Sequence, residues 1–215
     1  MSDEFTISVV RWRFVEFDVE LGVLEEYLNL VESELPDIVA KRRRHVQESF
    51  EGLDEVEILQ KDWGLEELIS DGVVTRYITA AAVVASWAVY ESAVKMVADY
   101  LAEVRHLSRH MDDIRKGFQK RAKQYFAQTL KIRLHSGADE QRLGELYFVR
   151  NALAHANGQL DSVDEREGLE AFVKTRGDLD VVGGTVIVSL EFARYALELV
   201  TRVLNDLVDR VEKGR

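Results

Sequence analysis

Arg150, Asn151 and His155 place a fixed positive charge, an amide and a titratable ring within six consecutive residues, Arg150-Asn151-Ala152-Leu153-Ala154-His155. Arginine presents a permanently charged fork of N–H donors suited to phosphate oxygens. Histidine, with an ordinary pKa of roughly 6.5, takes or gives a proton near neutrality. Asn151 stands four residues before His155, on the same helical face, where it could orient the imidazole or bind an anion itself. The set suits proton transfer beside a bound phosphate. Its spacing carries a difficulty, because five residues turn an ideal helix through about 140° and separate Arg150 from His155. Three arrangements reconcile them: the helix frays before Gly158, Arg150 reaches round, or two copies of the chain combine.

The helix that must carry these residues ends at Asn157-Gly158, since glycine tolerates the left-handed backbone that closes many helices. It follows the turn Ser136-Gly137-Ala138-Asp139, with Asp139 as the expected N-cap. Leu143, Leu146, Tyr147, Arg150, Leu153 and Ala154 recur at three- and four-residue spacing, which puts Arg150 on an apolar seam. A second long helix, about Thr75 to Val104, has the seam Ala80, Val84, Trp87, Glu91, Val94, Ala98 and Leu101. Glu91 is its one charged member, and an isolated buried carboxylate is expensive, so Glu91 and Arg150 are expected to pair.

Elsewhere, Thr6 to Trp12 reads as a short strand or arm. A helix from about Phe14 to Phe50 carries Leu21, Leu24, Leu28, Val31 and Leu35 inward, and Pro36 is expected to kink or divide it. Gly52 to Gly72 reads as a loop with a short helix near Leu65 to Ile69 and Trp63 as an anchor. A basic helix is expected over Met111 to Leu134, with Ile114, Phe118, Ala122, Tyr125 and Leu130 inward. After a polar stretch with a short helix near Leu169 to Lys174, the β-prone runs Leu179 to Val182 and Thr185 to Val188 flank Gly183-Gly184, the pattern of a tight hairpin. Ser189 caps a last helix, about Leu190 to Val211, that buries Leu197, Val200, Leu204, Leu207 and Val211. The expected fold is all-α: an antiparallel helical bundle with a small β-hairpin before the C-terminal helix, one domain over 1–215 with its core at about 14–212.

At 215 residues and 47% hydrophobic composition the chain can bury one sizeable core. With no cysteine it has neither disulfides nor thiolate metal ligands. His106, His110 and His135 lack carboxylates at a metal-binding spacing, and no phosphate-binding glycine loop occurs, so no metal and no cofactor are expected. Neither a signal segment nor an uninterrupted apolar run of spanning length is evident, so the expected location is cytoplasmic, away from membranes. The formal net charge of −11 opposes nonspecific attraction to nucleic acid. Yet Arg105 to Arg133 holds nine basic side chains against Asp112 and Asp113, a local +7 that leaves −18 elsewhere. Within it, Arg115, Lys116, Lys120, Arg121 and Lys123 are the candidate RNA contacts. A second basic knot runs from Lys41 to His45. As isolated features, both read more readily as solvated helix faces.

The string Arg150 to His155 resembles the Arg-x4–6-His signature of the HEPN superfamily, in its four-residue-gap form. A polar residue directly after the arginine, the position late in a helical bundle, and Glu91 on an earlier core helix are similar to features of that family. The hairpin followed by a C-terminal helix resembles its bacterial stand-alone members. The resemblance spans about residues 14 to 212, while its specific content is six residues. It implies a metal-independent endoribonuclease acting through the ribose 2′-hydroxyl, a toxin or antiviral, abortive-infection effector. Arg150, His155 and Asn151 would be catalytic and Glu91 supporting. It also implies a homodimer whose motifs face one cleft, with RNA as substrate and an antitoxin protein as a further partner. The alternative is a catalytically inactive member of the fold that binds nucleotides or proteins, in which Arg150 is a core ion-pair residue and His155 interacts with the helix macrodipole. An acidic, antitoxin-like partner of a basic protein is a third reading.

Overall fold

Apolar residues at helical spacing build four long helices whose faces meet in one core. The computed structural model describes residues 3–48, 51, 71–160 and 166–213. Its helices are α1 (Asp3–Glu48), α2 (Asp71–Val104), α3 (Phe118–Tyr125), α4 (Gly137–Ala156), α5 (Arg166–Lys174) and α6 (Leu190–Glu212). A 3-10 turn, Met111–Asp113, precedes α3, and a π-helical segment, Phe126–Leu130, follows it. Strands β1 (Leu179–Val182) and β2 (Thr185–Val188) form an antiparallel hairpin, Leu179 opposite Val188 and Val182 opposite Thr185. Gly183 and Gly184 turn it at φ 57° and 77°, values that glycine adopts without steric cost. The protein is thus an all-α helical bundle with a small hairpin before its last helix.

The central element is α2. Ala82, Val83, Trp87, Tyr90, Ala93, Val94, Val97 and Ala98 are all at most 1% exposed and together cover an arc of about 160° of the helix. Its seam is therefore wider than the single stripe expected. Val74–Val104 is long and apolar enough to cross a membrane by length and composition alone, and half of its most apolar window lies buried inside the bundle. The helix runs antiparallel to α1, Phe14 meeting Tyr100 edge-on at 5.6 Å at one end and the Tyr27 hydroxyl donating to the Ile78 carbonyl at the other. It also runs antiparallel to α4, as Trp87 against Tyr147 (5.5 Å) and Tyr77 beside Asn157 show. Two hydroxyls are buried on it without penalty. Ser86 donates to Ala82, and Thr79 donates to the Val188 carbonyl at 2.7 Å, tying α2 to β2.

Several expectations change. Thr6 to Trp12 belong to α1, neither strand nor arm. Pro36 does not divide that helix; it lies on the exposed side, where the carbonyl it leaves without a donor can be hydrated. Gly72 is helical, while Trp63 and the helix expected near Leu65 to Ile69 lie outside the described residues. The basic helix is broken into a 3-10 turn, α3, the π-helical segment and an irregular run, with Lys131 left-handed at φ 58°. Ile114, Ala122, Tyr125 and Leu130 are buried nonetheless, and Phe118 is half-buried. On α6 all five expected core residues are buried.

Candidate functional site

Both ends of α4 are fixed by specific contacts. Ser136, rather than Asp139, is the N-cap, its hydroxyl oxygen accepting from the Asp139 backbone N–H. Asp139 is 3% exposed and accepts from the Ser136 hydroxyl (2.5 Å) and from Arg202 Nη1 of α6 (2.6 Å). Desolvation raises its pKa, but these hydrogen bonds outweigh it and hold the carboxyl below its ordinary value. At the other end Asn157 closes the helix at φ 49° and Gly158 follows at φ 81°. The segment after the helix then pairs with β2. The Val186 N–H donates to the Gly158 carbonyl (2.8 Å), and the Leu160 N–H donates to that of Gly184 (2.9 Å). A Cβ at Gly158 would meet the Val186 carbonyl oxygen at 3.0 Å, so only glycine fits both the angle and the approach. The hairpin is therefore a clamp on the end of the helix that carries His155.

The core face of α4 is Leu143, Leu146, Val149, Ala152 and Leu153, with Ala154 exposed. Arg150 consequently sits half-buried at the edge of the face, not on its midline. From there its long side chain runs along the last turn. Arg150 Nη1 donates to Asn151 Oδ1 at 3.0 Å and lies 3.5 Å from Nε2 of the exposed His155. The reach of arginine thus closes the 140° gap within one copy of the chain. Asn151 holds Arg150; no contact with His155 accompanies it. Arg150 Nε is buried and meets no hydrogen-bond acceptor among the described residues.

Glu91 does not pair with Arg150. Its Oε1 accepts from Trp87 Nε1 at 2.8 Å. Trp87 and Tyr147 are in contact, and Glu91 lies four residues beyond one while Arg150 lies three beyond the other. On antiparallel helices those steps diverge, putting the two about 10 Å apart along the axis. Half-buried Glu91 satisfies itself locally, and the guanidinium is left without a carboxylate among the described residues.

Tyr77 and Arg76, which the sequence did not single out, stand at this end of the bundle beside Asn157. Asn157 Nδ2 donates to the hydroxyl of Tyr77, whose ring is 53% exposed and lies 4.9 Å from the Arg76 guanidinium carbon. The hydrogen bond from Asn157, with Arg76 beside it, holds the Tyr77 phenol below its ordinary pKa. Nothing in the sequence signalled this, because Tyr77 and Asn157 meet only through the antiparallel pairing of α2 with α4.

The candidate RNA-contacting cations lie elsewhere. Arg121 pairs with Asp112 at 3.3 Å, Lys123 bonds Glu140, and Lys116 donates to Gln124 at 2.8 Å. Arg115 and Lys120 are exposed. Lys123 meets α4 at Glu140, fifteen residues before His155 and so about 22 Å along the helix. The structure therefore joins Arg150, Asn151 and His155 and leaves the basic group at the other end of α4. Among the described residues no three histidine, aspartate or glutamate side chains converge as metal ligands would.

No protein-family model, curated protein or solved structure matches the chain.

Proposed function

We propose that the chain is a metal-independent endoribonuclease of HEPN type, with Arg150, Asn151 and His155 as its reacting centre. One observation carries the reading: a guanidinium without a carboxylate partner among the described residues, one of its N–H groups buried and unsatisfied there, lies beside an exposed imidazole. A buried donor left unpaired costs about 1–3 kcal/mol, so the guanidinium is held at this place against that cost. In this reading Arg150 binds the scissile phosphate and stabilises charge developing on it, while Asn151 fixes the fork. His155 moves one proton, from the attacking 2′-hydroxyl or to the departing 5′-oxygen. The new bond joins the 2′-oxygen to phosphorus and the broken one releases the 5′-oxygen, leaving a cyclic phosphate. The second proton transfer needs another group, which a second copy sharing the cleft would supply. Arg115, Lys116 and Lys120 are candidates for flanking backbone contacts. The biological setting that fits is a cytoplasmic toxin or antiviral, abortive-infection effector, restrained by an antitoxin protein.

The test is incubation of the purified protein with RNA in excess chelator, beside Arg150→Ala and His155→Ala. Cleavage leaving cyclic phosphate ends, reduced about 10²–10⁴-fold in each variant, is the expected result. A folded protein that cuts no RNA, or variants that cut as well as the parent, would refute it.

A further inference from the structure

A second concavity, distinct from the Arg150–His155 centre, opens beside the N-terminal half of α4. Its volume is about 290 Å³, near the lower limit for small-ligand sites. Tyr90, Leu143 and Gly144 line it together with Lys120, Lys123 and His135. The Tyr90 hydroxyl lies 2.7 Å from His135 Nε2. Burial raises the Tyr90 phenol, so it keeps its proton, and burial together with Arg210 pushes His135 down to about 4, so the ring is neutral. Tyr90 must then donate to Nε2, which leaves the ring proton on Nδ1. The histidine's acceptor is thereby occupied. Glu140, the one carboxylate lining the site, is bonded to Lys123. Lys120 is exposed and has no carboxylate partner among the described residues. Gln119 turns its amide N–H to the Leu143 carbonyl at 3.4 Å, leaving its own carbonyl oxygen as an acceptor.

Gly144 contributes to the shape of this cleft. Glycine in a helix interior is less stable than alanine, so its presence calls for a reason. Close packing is not that reason, because a Cβ built there meets nothing within 4 Å. What the missing side chain leaves is open space at the cleft.

We propose that this cleft binds a small phosphate monoester, its phosphate held by Lys120 and Lys123 and a hydroxyl of its body by Gln119. The donor-rich rim selects an anion, the small volume excludes a large one, and the Gln119 carbonyl oxygen favours a ligand with a hydroxyl. The monoester could be a free sugar phosphate or the 5′ end of an RNA. This site does not depend on ribonuclease activity.

Calorimetric titration of the full chain with ribose 5-phosphate tests it, with ribose and succinate as controls and Gly144→Phe and Lys120→Ala as variants. Saturable binding of ribose 5-phosphate is expected, with no binding of ribose and at least about tenfold weaker binding in both variants. Lys120 is exposed, so its variant reports on the site even if Gly144→Phe does not fold. A 5′-phosphorylated trinucleotide that binds about tenfold more tightly than ribose 5-phosphate assigns the RNA end as the ligand, and the reverse order assigns the free metabolite. No binding of either phosphate at about 10 mM, undiminished binding in Lys120→Ala, or succinate binding as tightly would overturn the proposal.

Discussion

Acidification should destabilise the protein through His135 before it does so through any carboxylate. In the folded state the ring is held neutral, at a pKa of about 4 against an ordinary 6.5. Burial is the main cause, and Arg210 of α6 and Lys123 of α3 add to it, opposed by Glu140 and Asp139. The unfolded chain binds a proton below 6.5 that the folded chain refuses, so unfolding takes up protons and is favoured as pH falls. The contribution is complete above 6.5 and lost progressively down to about 4. At about 1.36 kcal/mol per pH unit the whole span is worth about 3 kcal/mol. About 1.4 kcal/mol is lost by pH 5.5 and about 2.5 kcal/mol by pH 4.5. Urea denaturation across this range, beside His135→Gln, isolates the effect, since glutamine does not titrate and can still accept from Tyr90. Asp112, Asp139, Glu140, Glu170, Asp178 and Glu191 are all held below their ordinary values. Their contributions are lost only as pH falls through the carboxylate range, and, apart from that of Glu140, which His135 helps to lower, in both proteins alike. The stability difference between parent and variant should therefore move by about 2.5 kcal/mol between pH 7.5 and 4.5. Parallel curves would refute the assignment of a half-buried neutral histidine.

Three further outcomes are expected from the packing. Gly158→Ala forces a Cβ against the Val186 carbonyl at φ 81° and should cost about 1–3 kcal/mol by urea denaturation. Thr79→Val keeps the volume but removes the hydroxyl that donates to Val188, and a loss of about 1 kcal/mol in the same assay is expected. Pro36→Ala should raise the melting temperature, because it restores a helix hydrogen bond at an exposed site where proline costs about 3 kcal/mol relative to alanine.

What could be read from the sequence is what depends on local spacing. The hairpin needed only two β-prone runs and a Gly-Gly turn. Helix α6 needed only Ser189 and a clean apolar stripe, and both lie where that pattern puts them. The closeness of Arg150, Asn151 and His155 along one helix was likewise legible. Broken stretches such as Met111 to Leu134 were not, because buried aromatics there hold π-helical and left-handed turns that propensity alone does not favour. Tertiary structure decided the partners. The antiparallel register of α2 against α4 carried Glu91 away from Arg150 and brought Tyr77 to Asn157. The stop at Asn157-Gly158 was legible, and tertiary structure added the hairpin docked against it through Gly158. Spacing specifies which residues share a face of one helix, whereas the register between helices arises from the packing of the whole core and selects which polar groups meet.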